Sequence, residues 1–136
     1  MLALTAPLKD RLVLLPALTG WDVRTGTEHA DRSLLPAVDV RCNGASVADG
    51  RAGACMVAPE WTVTLVVRRS ATAADELDAA FAAVFESLHN WQPGAHGGRG
   101  WEPLRLQRVT EPAFADDGLV GCELTFITGA RYMGQQ

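Results

Sequence analysis

The 136-residue chain has few cysteines, a single lysine among its 12 cations, and no long apolar run. Cys42, Cys55 and Cys122 form an odd set with no Cys-x-x-Cys pair. That pattern predicts neither a disulfide framework nor a zinc knuckle. Sixteen acidic residues outnumber the cations and leave a net charge of −4. A nucleic-acid binder draws its phosphate affinity from a surplus of Lys and Arg, so that class is disfavoured. The longest apolar run, Leu12 to Leu18, contains Pro16 and is far too short to span a bilayer, so no membrane partner is expected. The first ten residues lack a basic stretch followed by an apolar one, and Pro7, Lys9 and Asp10 interrupt them. They do not read as a signal peptide, and a soluble protein made in a cytoplasm is expected. His29, His89 and His96 share no ligand spacing with one another or with a cysteine, so no metal site is predicted.

What is present suits a globular domain. Hydrophobic residues make up 48% of the chain and charged residues 21%, enough to build one sizeable core over residues 1–136. Leu4, Leu8, Leu12 and Leu15 recur at helical spacing and predict a first helix ending before Pro16. Trp21 to Arg24 reads as a short strand. In Leu34 to Cys42, Val38, Val40 and Cys42 alternate with Asp39 and Arg41, the signature of a half-buried strand that Asn43-Gly44 ends as a turn. Ala45 to Ala54 is small and Gly-rich and reads as an exposed loop or the tip of a long hairpin. Trp61, Val63, Leu65 and Val67 alternate with Thr62, Thr64, Val66 and Arg68 in the clearest strand of the chain.

Thr72, followed by Asp75 at capping-box distance, predicts the start of a second helix. Leu77, Phe81, Val84, Phe85 and Leu88 give that helix one apolar stripe, opposite an Ala-rich face. Trp91 to Gly100, with five Gly or Pro residues, reads as a loop. A strand over Trp101 to Thr110, a turn at Asp116-Asp117-Gly118 and a last strand over Leu119 to Thr128 complete the core, and Gly129 to Gln136 is a tail. The order α-β-β-β-α-β-β predicts an α+β fold: one mainly antiparallel or mixed sheet with two helices packed on one face.

No catalytic constellation emerges. The segment His96-Gly97-Gly98-Arg99-Gly100 superficially matches an esterase oxyanion loop, but no G-x-S-x-G elbow accompanies it. It is followed by no Gly-Lys-Ser/Thr and leads into a strand, so it is no phosphate cradle. Asp116 and Asp117 are explained by turn chemistry, and Cys42 and Cys122 fall on apolar strand faces as small hydrophobes. The sequence reads as a structural protein and not an enzyme.

Four phrases in this order carry a resemblance. They are Leu35-Pro36-Ala37-Val38-Asp39-Val40, the Trp61 to Val67 strand, the helix opening Asp75-Glu76-Leu77-Asp78, and Asp116-Asp117-Gly118 leading into Leu119 to Thr128. From about Leu34 to Tyr132 the chain resembles the tail terminator family of long-tailed bacteriophages, small minor tail proteins of the lambda type. The resemblance implies a single tail-terminator-like domain that assembles as a homo-hexameric ring. Such a ring caps the head-proximal end of the tail tube in the virion, after assembly in the host cytoplasm. It stops addition of the major tail tube protein and offers a surface to a head-completion or neck protein, with no cofactor. DNA would pass through the bore without specific binding. Candidate residues for the ring, tube or neck interface are Asp49, Arg51, Met56, Arg68, Arg69, Asp116, Asp117, Arg131 and Tyr132. The Ala45 to Ala54 segment is the candidate protrusion. The Ala-rich helix face and the Arg68-Arg69 edge are candidate acceptors. The alternatives are another neck component, a head-completion or tail-completion adaptor, and a small ligand-binding or enzymatic α+β domain that uses the Trp91 to Gly100 loop as a lid.

Overall fold

The computed structural model describes residues 1–48 and 53–135. Helix α1 spans Thr5–Val13 after a short 3-10 turn at Leu2–Leu4, and a second such turn covers Pro16–Leu18. Strands β1 (Asp22–Thr25), β2 (Ala37–Val47) and β3 (Ala54–Arg68) follow, then helix α2 (Ala73–Leu88). The chain ends with a small hairpin of β4 (Gly94–His96) and β5 (Arg99–Trp101), and then β6 (Arg105–Thr110), β7 (Leu119–Ile127) and β8 (Ala130–Met133). The fold is α+β, as its element order predicts.

The main sheet runs β1-β2-β3-β7-β6, with β8 also paired to β3. Only β1–β2 is parallel; the other pairs are antiparallel. β3 organises the sheet. Its residues Glu60 to Arg68 pair with β7, and Ala54 to Val57 pair with β8, so β7 and β8 act as one interrupted partner strand. Period-two alternation sends Trp61, Val63 and Leu65 to one face, where Val40 and Leu124 stand opposite Val63, and Val38 opposite Leu65. On that face Leu4, Leu8 and Leu12 from the N-terminal helical stretch and Ala80, Val84 and Leu88 of α2 close the core. All six are fully buried.

Several elements differ from the sequence expectation, each for a physical reason. Asn43-Gly44 does not end β2. The register shifts between Cys42 and Ala45, so the two residues form a bulge, and Gly44 absorbs it at φ +113°. Pro59, opposite Ala45, sits beside that bulge, where a missing N–H is tolerated. Part of the expected Ala45 to Ala54 loop is therefore strand. Trp91 to Gly100 is not a plain loop either: Gly97 and Gly98, both at positive φ, make the two-residue turn of the β4–β5 hairpin. The expected Trp101 to Thr110 strand is broken at 102–104, next to Pro103. The tail contributes β8. Thr72 makes no side-chain bond to the helix backbone, so the Asp75 capping box does not form; its hydroxyl donates to Glu76 Oε1 at 2.9 Å instead.

Two connections cross the helix-free face of the sheet. Residues 111–118 lay Phe114 against β7, where a Cβ on Gly121 would come within 2.9 Å of Phe114 Cζ and clash with the Leu65 carbonyl. Gly121→Ala must therefore displace the Leu65 backbone and shift Phe114 as well. The expected loss is about 1–3 kcal/mol, read as a lower denaturant midpoint, whereas Gly100→Ala meets open space and serves as the mild control.

Residues 26–36, which return the chain from β1 to β2, are tied back to α1. Lys9 donates to Glu28 Oε1 at 2.7 Å, and this bond holds the Glu28 carboxyl below its ordinary range. Because the folded value is lowered, the stabilisation is present above the ordinary carboxylate range and is lost as pH falls through the folded value. Lys9→Met should move the Glu28 titration, followed by NMR, back up toward that of a free glutamate; an unmoved titration would contradict the coupling.

Candidate functional site

The candidate interface residues separate into two groups at opposite ends of β3. Arg68 ends the strand opposite Leu119. Arg69 follows it: its backbone N–H donates to the Gly118 carbonyl at 2.8 Å, and its Nε donates to the Asp117 carbonyl at 2.6 Å. Asp116 Oδ1 accepts from the Gly118 N–H at 2.8 Å. Arg68, Arg69, Asp116 and Asp117 thus form one exposed corner where β3 meets the turn into β7. Asp116 and Arg69 are committed to building that turn.

The second group lies at the start of β3. Met56 pairs with Arg131, and Cys55 with Tyr132. Met56 and Arg131 are exposed, as are Val47 and Met133 nearby. Tyr132 is half-buried: the Arg99 guanidinium lies 3.7 Å over its ring, and Trp101 packs edge-on at 6.4 Å. Its role is to dock the β4–β5 hairpin on the sheet. Twelve residue steps from Met56 to Arg68, at about 3.3 Å each, put the two groups roughly 40 Å apart along β3 before twist. Asp49 and Arg51 lie outside the described residues.

The residues weighed for chemistry hold structure instead. The His96 ring bonds the Pro93 carbonyl through Nε2 at 2.9 Å, and Trp101 Nε1 donates to the His96 carbonyl at 3.0 Å. His89 accepts the Leu106 N–H on Nδ1 at 3.0 Å and stacks on Phe85. Among the described residues no group of three or more His, Cys, Asp or Glu is placed to hold a metal ion. Among the described residues no helix is long and apolar enough to cross a membrane.

Sequence reasoning missed the most distinctive cluster. On the helix-free face, parallel pairing sets Arg24 beside Asp39, and alternation along β2 adds Arg41. Arg32 reaches over from the 26–36 connection. Asp39 Oδ2 stands 3.9 Å from Arg24 Nε and 3.5 Å from Arg32 Nη1, and its Oδ1 stands 3.6 Å from Arg41 Nε. Asp22 adds a second carboxylate 3.8 Å from Arg24 Nη1, which itself donates to the Asp31 carbonyl at 2.9 Å. Hydrogen bonds from the Ser33 hydroxyl and N–H hold the Asp31 carboxyl below its ordinary range and close the turn whose carbonyl receives Arg24. Three guanidinium groups therefore share one central carboxylate. They edge a cavity of about 500 Å³ whose other walls include Leu35, Val66 and Phe114. The alternation signal for Asp39 and Arg41 was visible in the sequence; the pairing that brings Arg24 to them was not.

The fold and these surfaces define a class: a small α+β protein whose polar features are surface clusters on a long-stranded sheet. No family model matches the chain, and no curated protein matches it. In fold it is similar to a chain of the "Virion of native gene transfer agent (GTA) particle", with a TM-score of 0.66 and 18% identity over 92% of each chain.

Asp39 is the anion that keeps three cations together. Asp39→Asn should lower stability by about 1–3 kcal/mol. Added salt should recover part of that loss by screening the arginines from one another. A denaturation series at two ionic strengths checks both, and an unchanged midpoint would remove Asp39 from this role.

Proposed function

We propose that this chain is a structural subunit of a phage-like particle, a tail terminator that closes as a six-membered ring on the head-proximal end of the tail tube. The carrying observation is the end-to-end fold similarity to a chain of a gene transfer agent virion, covering 92% of both chains. In this role it has no enzymatic activity. It ends polymerisation of the tube protein and presents a surface to the neck. The sequence phrases from Leu35 to Val40 and from Asp75 to Asp78 support the terminator assignment within the virion.

The physics of such a ring fits the chain. Identical subunits in a ring meet through two different surfaces, head to tail, and the rotation must close. The long β2–β3 hairpin, extended by β8, supplies a protruding arm with Val47, Met56 and Met133 exposed on it. The corner of Arg68, Arg69, Asp116 and Asp117 lies at the far end of β3. Met56, Arg131 and Tyr132 are assigned to the arm-side interface, and Asp49 and Arg51 are proposed as interface residues from the sequence alone. Six copies at −4 each carry about −24, and an acidic bore lets DNA pass without adhering. A neck adaptor of similar size is the second reading, because the virion likeness by itself names no position.

Mass photometry and negative-stain imaging of the purified chain, alone and mixed with tail tubes, test the assignment. Hexameric rings, free or seated on one end of each tube, are expected. A monomer at every concentration with no affinity for tubes would overturn it, and rings on the portal instead of the tube would select the neck adaptor. Arg51→Glu should weaken ring formation while leaving the melting temperature within a degree or two.

A further inference from the structure

The arginine cavity sets three guanidinium groups against two lining carboxylates, Asp39 and Asp116, a local surplus of cation on a chain of negative net charge. Arg24 is its most informative residue: it is 6% exposed, and its Nε makes no hydrogen bond. The nearest acidic oxygen, Asp39 Oδ2, stands at 3.9 Å, beyond bonding distance. A guanidinium taken out of water with an unmet donor is costly until an acceptor completes it. Arg32 and Arg41 are also only loosely engaged by Asp39, at 3.5 and 3.6 Å. Planar guanidinium forks match a carboxylate in shape and charge. A phosphate dianion would meet stronger repulsion from Asp39 and Asp116, the two carboxylates that line the cavity, so singly charged carboxylates are the better fit. The apolar wall of Leu35, Val66 and Phe114 gives the methylene or methyl neighbours of that carboxylate a surface to cover.

We propose that this cavity receives the exposed carboxylates of the first turn of α2, Asp75 and Asp78, from a second copy of this chain. Asp75, Glu76 and Asp78 crowd one exposed turn, and Glu76 is already engaged by Thr72. Among the described residues, neither Asp75 nor Asp78 takes part in an ion pair within the chain. α2 covers one face of the sheet, and the arginine cavity opens on the other. The contact therefore joins two different surfaces of neighbouring copies, which is the arrangement a ring requires. The proposal rests on the ring reading and assigns that ring its electrostatic joint.

Two double reversals of the full-length chain test it: Arg32→Glu with Arg41→Glu, and Asp75→Arg with Asp78→Arg. Arg24 is left intact because it is buried. Each variant should keep the native circular dichroism yet stay monomeric by sedimentation where the native chain assembles, alone or on tail tubes. A 1:1 mixture should assemble again, because native and reversed joints then alternate around an even-numbered ring. Assembly of either variant by itself at the native concentration overturns the proposal and leaves the ring reading standing. So does a mixture of folded variants that fails to assemble. A native chain that never self-associates, even on tubes, overturns both. Where a double reversal unfolds, Arg41→Gln and Asp78→Asn carry the test, each raising the assembly concentration about tenfold; no change in either overturns the joint.

Discussion

Continuous pairing along β3 is the constraint on which the rest of the structure depends. Residues between Val57 and Val66 pair with β2 on one edge, while Glu60 to Arg68 pair with β7 and Ala54 to Val57 with β8 on the other, so any slip in register would move Trp61, Val63 and Leu65 out of the core together. The interruptions fall where that pairing tolerates them. The β2 bulge at Asn43-Gly44 and the gap between β7 and β8 both lie beside Pro59, the residue of β3 that has no N–H to offer. One proline thus marks where the pairing on both edges of β3 changes. On one side of it, both helices close over the Val63 face. Beyond Pro59, the core is continued by Ala130 and by Tyr132, which packs on Trp101 of the β4–β5 hairpin.

That division explains what the sequence revealed and what it hid. Trp61 to Val67 alternates apolar and polar residues over a core face, and the Leu77 to Leu88 stripe repeats at helical spacing; both signals are local and both elements formed. The arm carries weaker local signals. Asn43-Gly44 has the composition of a hairpin turn, yet partners on β3 keep β2 extended through it, so tertiary pairing outweighs turn propensity. Ala130 to Met133 lies between two glycines and is too short to declare itself; it is a strand because β3 offers an unpaired edge there. The β4–β5 hairpin is dense in glycine for a structural reason, since Gly97 and Gly98 occupy the left-handed conformations of its turn.

The candidate site was less legible than the fold. Met56, Arg131 and Tyr132 do come together, and so do Arg68, Arg69, Asp116 and Asp117, because each set sits on facing positions of β3 and its partners. The arginine cluster depends on a parallel β1–β2 pairing with an eleven-residue return, and no local pattern announces a parallel partner. Arg24 and Asp39 are fifteen positions apart in the sequence and neighbours in the sheet. Arg32 is added by an irregular connection, which periodicity does not address at all. Net charge concealed the cluster as well, because −4 is a sum over a surface on which three cations are gathered at one place.

Charge arrangement, more than charge total, is what a self-assembling subunit needs. A uniformly acidic surface would make copies repel one another, and repulsion grows as each copy is added to a ring. A chain that keeps a surplus of acid can still assemble if it concentrates its arginines in a recess that another copy's carboxylates can reach. The apolar walls of that recess lower the local dielectric and strengthen the attraction, while Asp39 limits the repulsion among the arginines in the free subunit. In the proposed ring such a joint would strengthen on assembly, and the remaining acid would be left to face solvent or the bore, where its repulsion toward DNA would be useful.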